Sequence, residues 1–344
     1  FMKLDQATIK DLARELNVSS STISRALKDY PGISDETKRK VRELAEKMNY
    51  RPNALARSLR KSQSFTIGVI IPEVVHFFFS TVISGIEEVA FARGYNVILT
   101  QTNEKVSREK TSIDTMLANQ IDGLLVSYSK ETEDFEHFSK LLEKNFPIVF
   151  FDRVPNLGNT LNVTVDDYSG AYAATQHLIQ QGYRRIYHLT GPSHLSISAE
   201  RKRGYLTALE DYGIQHQPDW IMESPKGNEN EAKEITLDIL KKSNPKPDAF
   251  FAHNDMAAVG AMMACRELGL KVPDQIGIVG FSDWQFCTML EPSLSSVAQP
   301  GFQMGIKATE LLLDMIDKKE NVDGAKNSVV LETELLVRKS SLRP

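Results

Sequence analysis

Apolar residues recur at helical spacing in three short segments near the N-terminus. Thr8, Ser19 and Ser34 each precede one of these segments and are residue types that cap helices. The apolar positions are, in chain order, Ile9, Leu12, Ala13 and Leu16, then Ile23, Ala26 and Leu27, then Val41, Leu44, Ala45 and Met48. This spacing places each set on one face of a helix. The pattern predicts an all-α domain of three short helices.

From residue 65 onward, short apolar runs alternate with helical segments. The runs of strand length cover residues 65–71, 97–100, 124–126, 148–151, 164–165, 186–189, 249–252 and 276–281. Such alternation is typical of α/β folds, in which helices flank a parallel sheet. We interpret it as two doubly wound parallel-sheet lobes, the architecture of the periplasmic-binding proteins, which hold their ligand at the carboxyl ends of the strands.

These patterns divide the chain into three parts. Residues 2–50 form the helical head, residues 51–63 a linker, and residues 64–344 the two-lobed body. We expect the first lobe at about 64–160 with part of 292–325. The second lobe is expected at 161–291 with a C-terminal strand within 328–338. No heptad segment follows that strand, which favours a homodimer over a tetramer.

Charge distinguishes the head from the body. Residues 1–64 contain 14 Lys and Arg against 8 Asp and Glu, whereas the rest of the chain contains 27 against 37. A basic head on an acidic body indicates that only the head meets a polyanion.

The first two predicted helices are separated by only a few residues, and the small Ala13 allows them to cross closely. This is the helix-turn-helix arrangement, whose second helix enters the major groove of DNA. The second helix presents hydroxyl groups and Arg25, which can bond phosphates and base edges. A bundle used only for protein contact is the alternative, and the basic charge favours DNA.

Several motifs carry a family resemblance. Thr8-Ile-Lys-Asp-Leu-Ala, then residues 17–27 (NVSSSTISRAL), 41–45 (VRELA) and 49–59 (NYRPNALARSL), closely resemble the lactose/galactose repressor family of bacterial regulators. The resemblance implies that Ser20, Ser21 and Arg25 hold the main base-reading positions. Many members have Tyr or another large residue at the first of these, so the two serines leave the operator sequence open. The residues expected at DNA are Thr8, Ser19, Ser20, Ser21, Thr22, Ser24, Arg25, Asn53, Ala56, Arg57 and Leu59.

The linker begins with Pro52, which suits the first position of a helix. A helix of two turns is unstable alone in water, so it needs a partner, either DNA or its twin in a dimer. The resemblance implies a hinge helix in the minor groove, with Leu59 wedged between base pairs. A flexible tether is the weaker alternative because the linker contains no glycine.

Residues that follow the predicted strands should form a ligand site in the body. The resemblance singles out Arg201 as the residue that grips the ligand. The expected effector-binding residues are His76, Phe77, Phe79, Ser127, Asp152, Arg153, Ser198, Arg201, Lys226, Asn254, Ser282, Asp283, Trp284 and Gln299. Aromatic rings suit the apolar face of a sugar, although about half of those in 72–79 are assigned to the core.

Two departures from the family bear on the ligand. Many members have Asp at the position of Ser282, and some relatives have an aromatic residue near Lys226. Relative to those members, this chain lacks the carboxylate at Ser282 and has an additional cation, Lys226, beside Arg153 and Arg201. Both differences favour an acidic or phosphorylated sugar as the ligand.

The sequence contains no recognisable catalytic or metal-binding constellation. Gly280-Phe-Ser-Asp-Trp284 nearly matches a nucleophile elbow, but Trp284 stands where the turn requires glycine. We expect no catalytic residues, no metal and no cofactor, and the two cysteines should be reduced thiols. The absence of an apolar signal segment and of a membrane-spanning run predicts a cytoplasmic protein.

Together these features predict a DNA-binding transcriptional regulator, in the first instance a repressor. Its partners would be a pseudo-palindromic double-stranded operator, a second copy of the chain and a sugar-like effector held between the lobes. The alternative is a transport-type sugar-binding protein without a regulatory role, which would explain the body but not the basic head.

Overall fold

The computed structural model describes residues 7–50, 63–318 and 328–343. The chain forms two compact units, Phe1–Phe65 and Thr66–Pro344. Most of the predicted linker lies outside the described residues, and so do Asn53, Ala56, Arg57 and Leu59.

The head contains the three predicted helices. They are α1 (Ile9–Glu15), α2 (Ser20–Leu27) and α3 (Asp35–Lys47). Thr8, Ser19 and Ser34 cap them, each accepting a hydrogen bond from a backbone N–H in the first turn. Leu12 and Ile23 are fully buried between the helices. Because every helix contributes one apolar stripe, a small common core fixes the mutual positions of α1 and α2.

The body consists of twelve strands and eight helices among the described residues. The strands are β1 (Thr66–Ile71), β2 (Asn96–Gln101), β3 (Gly123–Val126), β4 (Ile148–Phe151), β5 (Leu161–Val165), β6 (Ile186–Thr190), β7 (Ile221–Glu223), β8 (Ala249–Ala252), β9 (Gly277–Ser282), β10 (Ser295–Ala298), β11 (Val329–Leu331) and β12 (Glu334–Leu336). The helices are α4 (Phe77–Ala92), α5 (Val106–Ala118), α6 (Glu136–Leu142), α7 (Asp167–Gln180), α8 (Ser196–Asp211), α9 (Glu229–Lys242), α10 (Asp255–Glu267) and α11 (Gly301–Lys318).

Two six-stranded sheets confirm the predicted pair of doubly wound lobes. Their strand orders are β11-β5-β4-β3-β1-β2 and β12-β10-β9-β8-β6-β7. All pairings are parallel except that of β10 with β12. The chain order within each sheet reverses beside β1 and β6, which creates the crevice where ligands bind in such folds.

Two predicted boundaries are corrected. The second lobe was expected to begin at residue 161, but β5 belongs to the first sheet, where Leu161 pairs with Val149. The last strand, expected within 328–338, is two short strands in different sheets. Both errors have one cause: sheet membership is set by pairing with distant strands, which a local apolar run does not specify.

The chain therefore crosses between the lobes three times among the described residues: between β5 and α7, between β10 and α11, and between β11 and β12. The first and third crossovers are bonded to each other, since Asp166 N donates to Leu331 O at 2.8 Å and Thr333 Oγ1 donates to Asp166 O at 3.2 Å. Three adjacent connections of this kind form a hinge about which two lobes can close.

Helix α11 returns from the second lobe to pack against α4 at close range. A Cβ added to Gly85 would lie 2.1 Å from Phe302 O, and one added to Gly305 would lie 2.1 Å from Val82 O. Only glycine at both positions allows the two backbones to approach so closely. This contact holds α11, the helix that follows the second crossover, against the first lobe.

Candidate functional site

The cleft between the lobes contains a cavity of about 110 Å³ at the carboxyl ends of both sheets. Because a cavity of about 150 Å³ holds a benzene ring, this volume is on the scale of one small ring at most. The cavity is lined by His76, Phe78, Phe79, Glu104, Lys130, Asp152, Arg153, Pro192, Leu195, Ile197, Ser198, Arg201, Pro225, Lys226, Gly227, His253, Asn254, Met256, Ser282, Trp284 and Gln299.

On the first-lobe side, Arg153 and Glu104 form a bidentate ion pair. Arg153 Nη1 and Nη2 donate to the two carboxylate oxygens at 2.8 and 2.9 Å, and Nη1 also reaches Tyr128 O at 2.9 Å. Burial acts to raise the pKa of Glu104, but Arg153 and Lys130 outweigh it and the pKa falls. Arg153 Nε is buried with no hydrogen-bond partner among the described residues. The nearest acidic oxygen to this Nε is Asp152 Oδ2, at 4.0 Å.

Asp152 lies beneath this pair in a left-handed backbone conformation, with φ of 62°. Ser127 Oγ donates to Asp152 Oδ2 at 3.3 Å. Burial raises the pKa of Asp152, although Arg153 and Arg201 act in the opposite direction. Asp152 can thus serve as an acceptor for a ligand hydroxyl.

On the second-lobe side, Arg201 is held from three directions. Its Nε donates to Asp167 Oδ1 at 2.7 Å, its Nη1 donates to His253 O at 2.5 Å, and its guanidinium lies 3.7 Å from the centre of the Phe281 ring. The side chains of Arg201 and Asp167 are only 5% and 6% exposed. Burial raises the pKa of Asp167 to about 6. Because Asp167 begins α7 directly after the first crossover, Arg201 joins the cavity to the hinge.

His253 and Asn254 form the adjoining wall. Burial lowers the pKa of His253 to about 3, so its imidazole is neutral, and its Nδ1 lies 3.1 Å from Leu189 O. Asn254 caps α10 through its Oδ1, which accepts from Ala257 N at 2.7 Å. A Cβ on Gly227 would lie 2.9 Å from Asn254 Nδ2 and 3.0 Å from His253 Nε2, so a side chain there would crowd this wall.

The hinge side of the cavity contains Ser282 and Gln299. Ser282 has a φ of 107°, a conformation that costs a non-glycine residue about 1–3 kcal/mol and is typical of functional sites. Its Oγ donates to Gln299 Oε1 at 2.7 Å. Gln299 Nε2 is buried without a partner in the described part of the chain. Gln299 lies on the second crossover, so a ligand that accepts from it contacts a second hinge connection.

Aromatic side chains from the two lobes meet across the cleft. The His76 and Trp284 rings lie 5.2 Å apart, and Phe79 lies 6.4 Å from His76. Trp284 N donates to Asp255 Oδ2 at 2.8 Å, and Ser296 Oγ donates to Asp255 Oδ1 at 2.5 Å. Burial raises the pKa of Asp255 to about 7. Asp255 therefore fixes the turn that carries Trp284.

Three residues predicted at the effector site do not line this cavity. Phe77 begins α4, where the rotation of the helix places it in a neighbouring groove and leaves His76 and Phe79 at the cavity. Ser127 is fully buried beneath Asp152. Asp283 Oδ1 accepts from Arg338 Nη1 at 2.7 Å, an ion pair that turns this carboxylate away. The other eleven predicted residues are brought together around the cavity.

Sequence reasoning missed Glu104 and Lys130. Both lie in loops after strands of the first sheet, Glu104 after β2 and Lys130 after β3, which is the placement that identified the other candidates. Glu104 also has a φ of 59°, rare for a residue that is neither glycine nor asparagine. Its position after a strand was the available signal.

In the head, the N-terminal end of α2 presents a cluster of hydroxyls. Ser19 Oγ lies 2.7 Å from Ser21 Oγ and 2.9 Å from Thr22 Oγ1. Arg25, one turn further along, is exposed and lies 5.8 Å from the centre of the Tyr30 ring. Ser20 and Ser24 are half-buried on the same helix, and Thr8 is engaged by the cap of α1. Hydroxyls and N–H groups at a helix N-terminus suit a phosphate, and Arg25 suits a base edge.

No group of three or more His, Cys, Asp or Glu side chains in the described ranges is placed to hold a metal ion. Within the same ranges, no helix has the length and apolarity required to cross a membrane.

A capped helix-turn-helix head and a two-lobed body with a cavity between its lobes are the parts expected of a ligand-binding transcriptional regulator. Residues 8–53 match the family model "Bacterial regulatory proteins, lacI family", and residues 175–341 match "Periplasmic binding protein-like domain". The chain is 33% identical to catabolite control protein A of Priestia megaterium over 319 residues, which are 92% of this chain and 95% of that protein.

Solved structures agree. The lac repressor dimer bound to operator and the anti-inducer ONPF matches with a TM-score of 0.85 and 25% identity, over 98% of this chain and all of that one. A complex of the transcriptional regulator CelR with cellobiose matches with a TM-score of 0.73 and 26% identity, over 97% and 99%. The chain belongs to the lacI family of bacterial regulatory proteins, and it is a DNA-binding transcriptional regulator. This confirms the resemblance inferred from the motifs.

Proposed function

We propose that this chain is a cytoplasmic, non-enzymatic repressor whose operator affinity is controlled by a sugar-like effector bound between the lobes. The observation that carries this proposal is the buried pair of Arg201 and Asp167. Arg201 lines the cavity and Asp167 lies at the first crossover, 2.7 Å from it. A ligand that bonds Arg201 therefore acts on the hinge. If the ligand binds the closed lobes more tightly than the open lobes, it shifts the equilibrium between these two conformations.

The effector should be rich in hydroxyl groups. Among the residues that line the cavity, Arg153 and Gln299 carry N–H donors, Asp152 is an acceptor, and Trp284 and Phe79 offer apolar faces. Hydroxyls of a sugar can both donate and accept, and the ring carbons can pack on the aromatic rings. CelR, a relative in structure, binds cellobiose, which supports a sugar here.

The charges around the cavity favour a neutral sugar over the acidic one that the sequence suggested. Glu104 neutralises Arg153 and Asp167 neutralises Arg201, so neither guanidinium requires an anionic ligand. Lys226, the reason for expecting an anion, is exposed at the rim. Titration calorimetry with D-glucose and D-glucuronate, and with D-galactose and D-galacturonate, would decide between them. Tighter binding of the uronates would favour the acidic class.

We further propose that the head reads a pseudo-palindromic operator as a homodimer. Arg25 and the hydroxyl residues of α2 would contact DNA, and Asn53, Ala56, Arg57 and Leu59 would do so from the linker. The lac repressor, a relative in structure, binds its operator as a dimer, which supports a dimer here.

Operator binding tests this proposal. DNA fragments that bind the wild-type chain are first selected from a random pool. Arg25→Ala should bind these fragments about 1–3 kcal/mol more weakly than the wild type, which is the cost of one bidentate base contact. Arg39→Ala is the matched control, because Arg39 is equally exposed but pairs with Glu43 on α3. Leu59→Ala should also weaken operator binding and leave effector binding intact. Unchanged affinity in Arg25→Ala would remove Arg25 from the reading face.

A further inference from the structure

The enclosed cavity opens toward a larger space at the mouth of the cleft. This outer vestibule measures about 910 Å³ and shares His76, Glu104, Lys130, Lys226 and Trp284 with the cavity. The cavity has room for one ring at most, so a second ring would have to extend into the vestibule. The residue between the two spaces therefore decides how long a ligand can be.

Lys130 lines both spaces and, unlike the other shared first-lobe residues His76 and Glu104, hydrogen-bonds the opposite lobe through its side chain and its backbone. Its Nζ donates to Lys226 O at 2.9 Å and to Pro225 O at 3.4 Å. Its own carbonyl lies 2.6 Å from His194 Nε2. Lys130 is on the loop after β3 in the first lobe, and the other three residues belong to the second lobe. Lys130 therefore makes two separate connections across the cleft, one through its side chain and one through its backbone.

The loop that carries Lys130 is held rigidly within its own lobe. Lys130 N donates to Glu104 Oε2 at 2.7 Å, and Nζ lies 3.8 Å from Glu104 Oε1. Glu109, fully buried, accepts from Ser129 N at 2.7 Å and from Thr132 Oγ1 at 2.9 Å. His137 Nε2 lies 2.9 Å from the same carboxylate. Because the backbone is fixed on both sides of Lys130, only its side chain can move aside for a longer ligand.

We propose that Lys130 is a specificity-determining residue that restricts the effector to a single sugar ring, an inference that rests on the proposed sugar-binding function. Its ammonium closes the cavity against the vestibule by bonding the carbonyls of Pro225 and Lys226. A two-ring ligand displaces the ammonium and forfeits these bonds between the lobes. Charged-donor hydrogen bonds are strong enough for this loss to reduce affinity about tenfold.

The first experiment needs no ligand. The chain contains two tryptophans, Trp220 and Trp284, so Trp220→Phe leaves Trp284 as a reporter at the boundary between cavity and vestibule. Acrylamide quenching of Trp284 should be stronger in Lys130→Ala than in wild type, whereas Lys130→Arg, which retains the donors, should match wild type. Lys105→Ala is the control, because Lys105 lies on the same rim but pairs with Glu131 of its own lobe. Equal quenching in wild type and Lys130→Ala would overturn the closure by Lys130.

The second experiment measures ring number by titration calorimetry. The probes are D-glucose with cellobiose and maltose, and D-xylose with xylobiose. For whichever sugar series binds, the wild type should have higher affinity for the one-ring sugar than for its two-ring counterpart. Lys130→Ala should bind the two-ring sugar about tenfold more tightly than the wild type does. Equal wild-type affinity for both members would overturn the size limit. If no probe binds either protein, the proposed sugar function and the size limit fail together, while the quenching result stands independently.

Discussion

The two lobes share one strand topology but equip their sides of the cavity differently. The first lobe contributes Glu104, Arg153 and Lys130, all on loops after its strands, and both cations pair with Glu104. The second lobe contributes Arg201, which is buried in α8 and bonded to Asp167 at a crossover. The Lys130 side chain bonds the opposite lobe, whereas the Arg201–Asp167 pair is buried and lies at a crossover. From this difference we propose that the first lobe selects the ligand and the second transmits its presence.

The largest expected effect comes from removing the second-lobe arginine. Arg201→Ala should abolish the effector response of operator binding. It should also reduce the free energy of unfolding by about 3–5 kcal/mol, because Asp167 loses its buried partner. Arg203→Ala on the same helix is the control, since Arg203 is exposed and pairs with Glu200. Denaturant unfolding and operator titration with and without effector measure both effects. A response that survives in a folded Arg201→Ala protein would disprove the role in transmission.

A smaller effect is expected from the first-lobe pair. Glu104→Gln keeps the side-chain shape but removes one of the two carboxylates beside Arg153, so preference should shift toward anionic sugars by about tenfold. Calorimetry with glucose and glucuronate measures the shift, and operator affinity without effector should not change. Lys105→Ala, which removes a rim charge outside the cavity, serves as the control. If Glu104→Gln instead abolished the operator response while ligand binding was retained, the division between selection and transmission would be wrong.

The smallest effect concerns pH and the second lobe. Burial raises the pKa of Asp255 from 3.8 to about 7. A carboxyl whose folded pKa is raised costs stability once it ionises, so this group lowers stability as pH rises from about 4 through about 7. The thermal midpoint of the wild type should therefore fall over that range relative to Asp255→Asn, which does not titrate. Parallel pH profiles for the two proteins would contradict an ionisable Asp255 in this range.

Much of the fold could be predicted because its signals are local. The stripes of apolar residues in the head and the caps Thr8, Ser19 and Ser34 identified its three helices. Alternating strands and helices identified the two-lobed body. Placement after a strand, helped by the family resemblance, found most residues of the cavity, Arg201 among them.

The errors lie where distant parts of the chain meet. Phe77, Ser127 and Asp283 stand close in sequence to residues that line the cavity, yet helix rotation, burial under Asp152 and the ion pair with Arg338 remove them from it. Glu104 was overlooked because its role depends on Arg153, which is far away in sequence. The pattern of neighbouring residues in the sequence does not reveal which distant residues will contact each other.

The sequence by itself determined the class of the protein, since helix caps, apolar periodicity and strand-helix alternation depend on neighbouring residues. Only the tertiary structure decided that β5 belongs to the first sheet and that Asp167 joins Arg201 to a crossover. It alone placed Lys130 across the cleft. Strand pairing and contacts between lobes join residues that are remote in the chain, and they are fixed only when the whole chain packs.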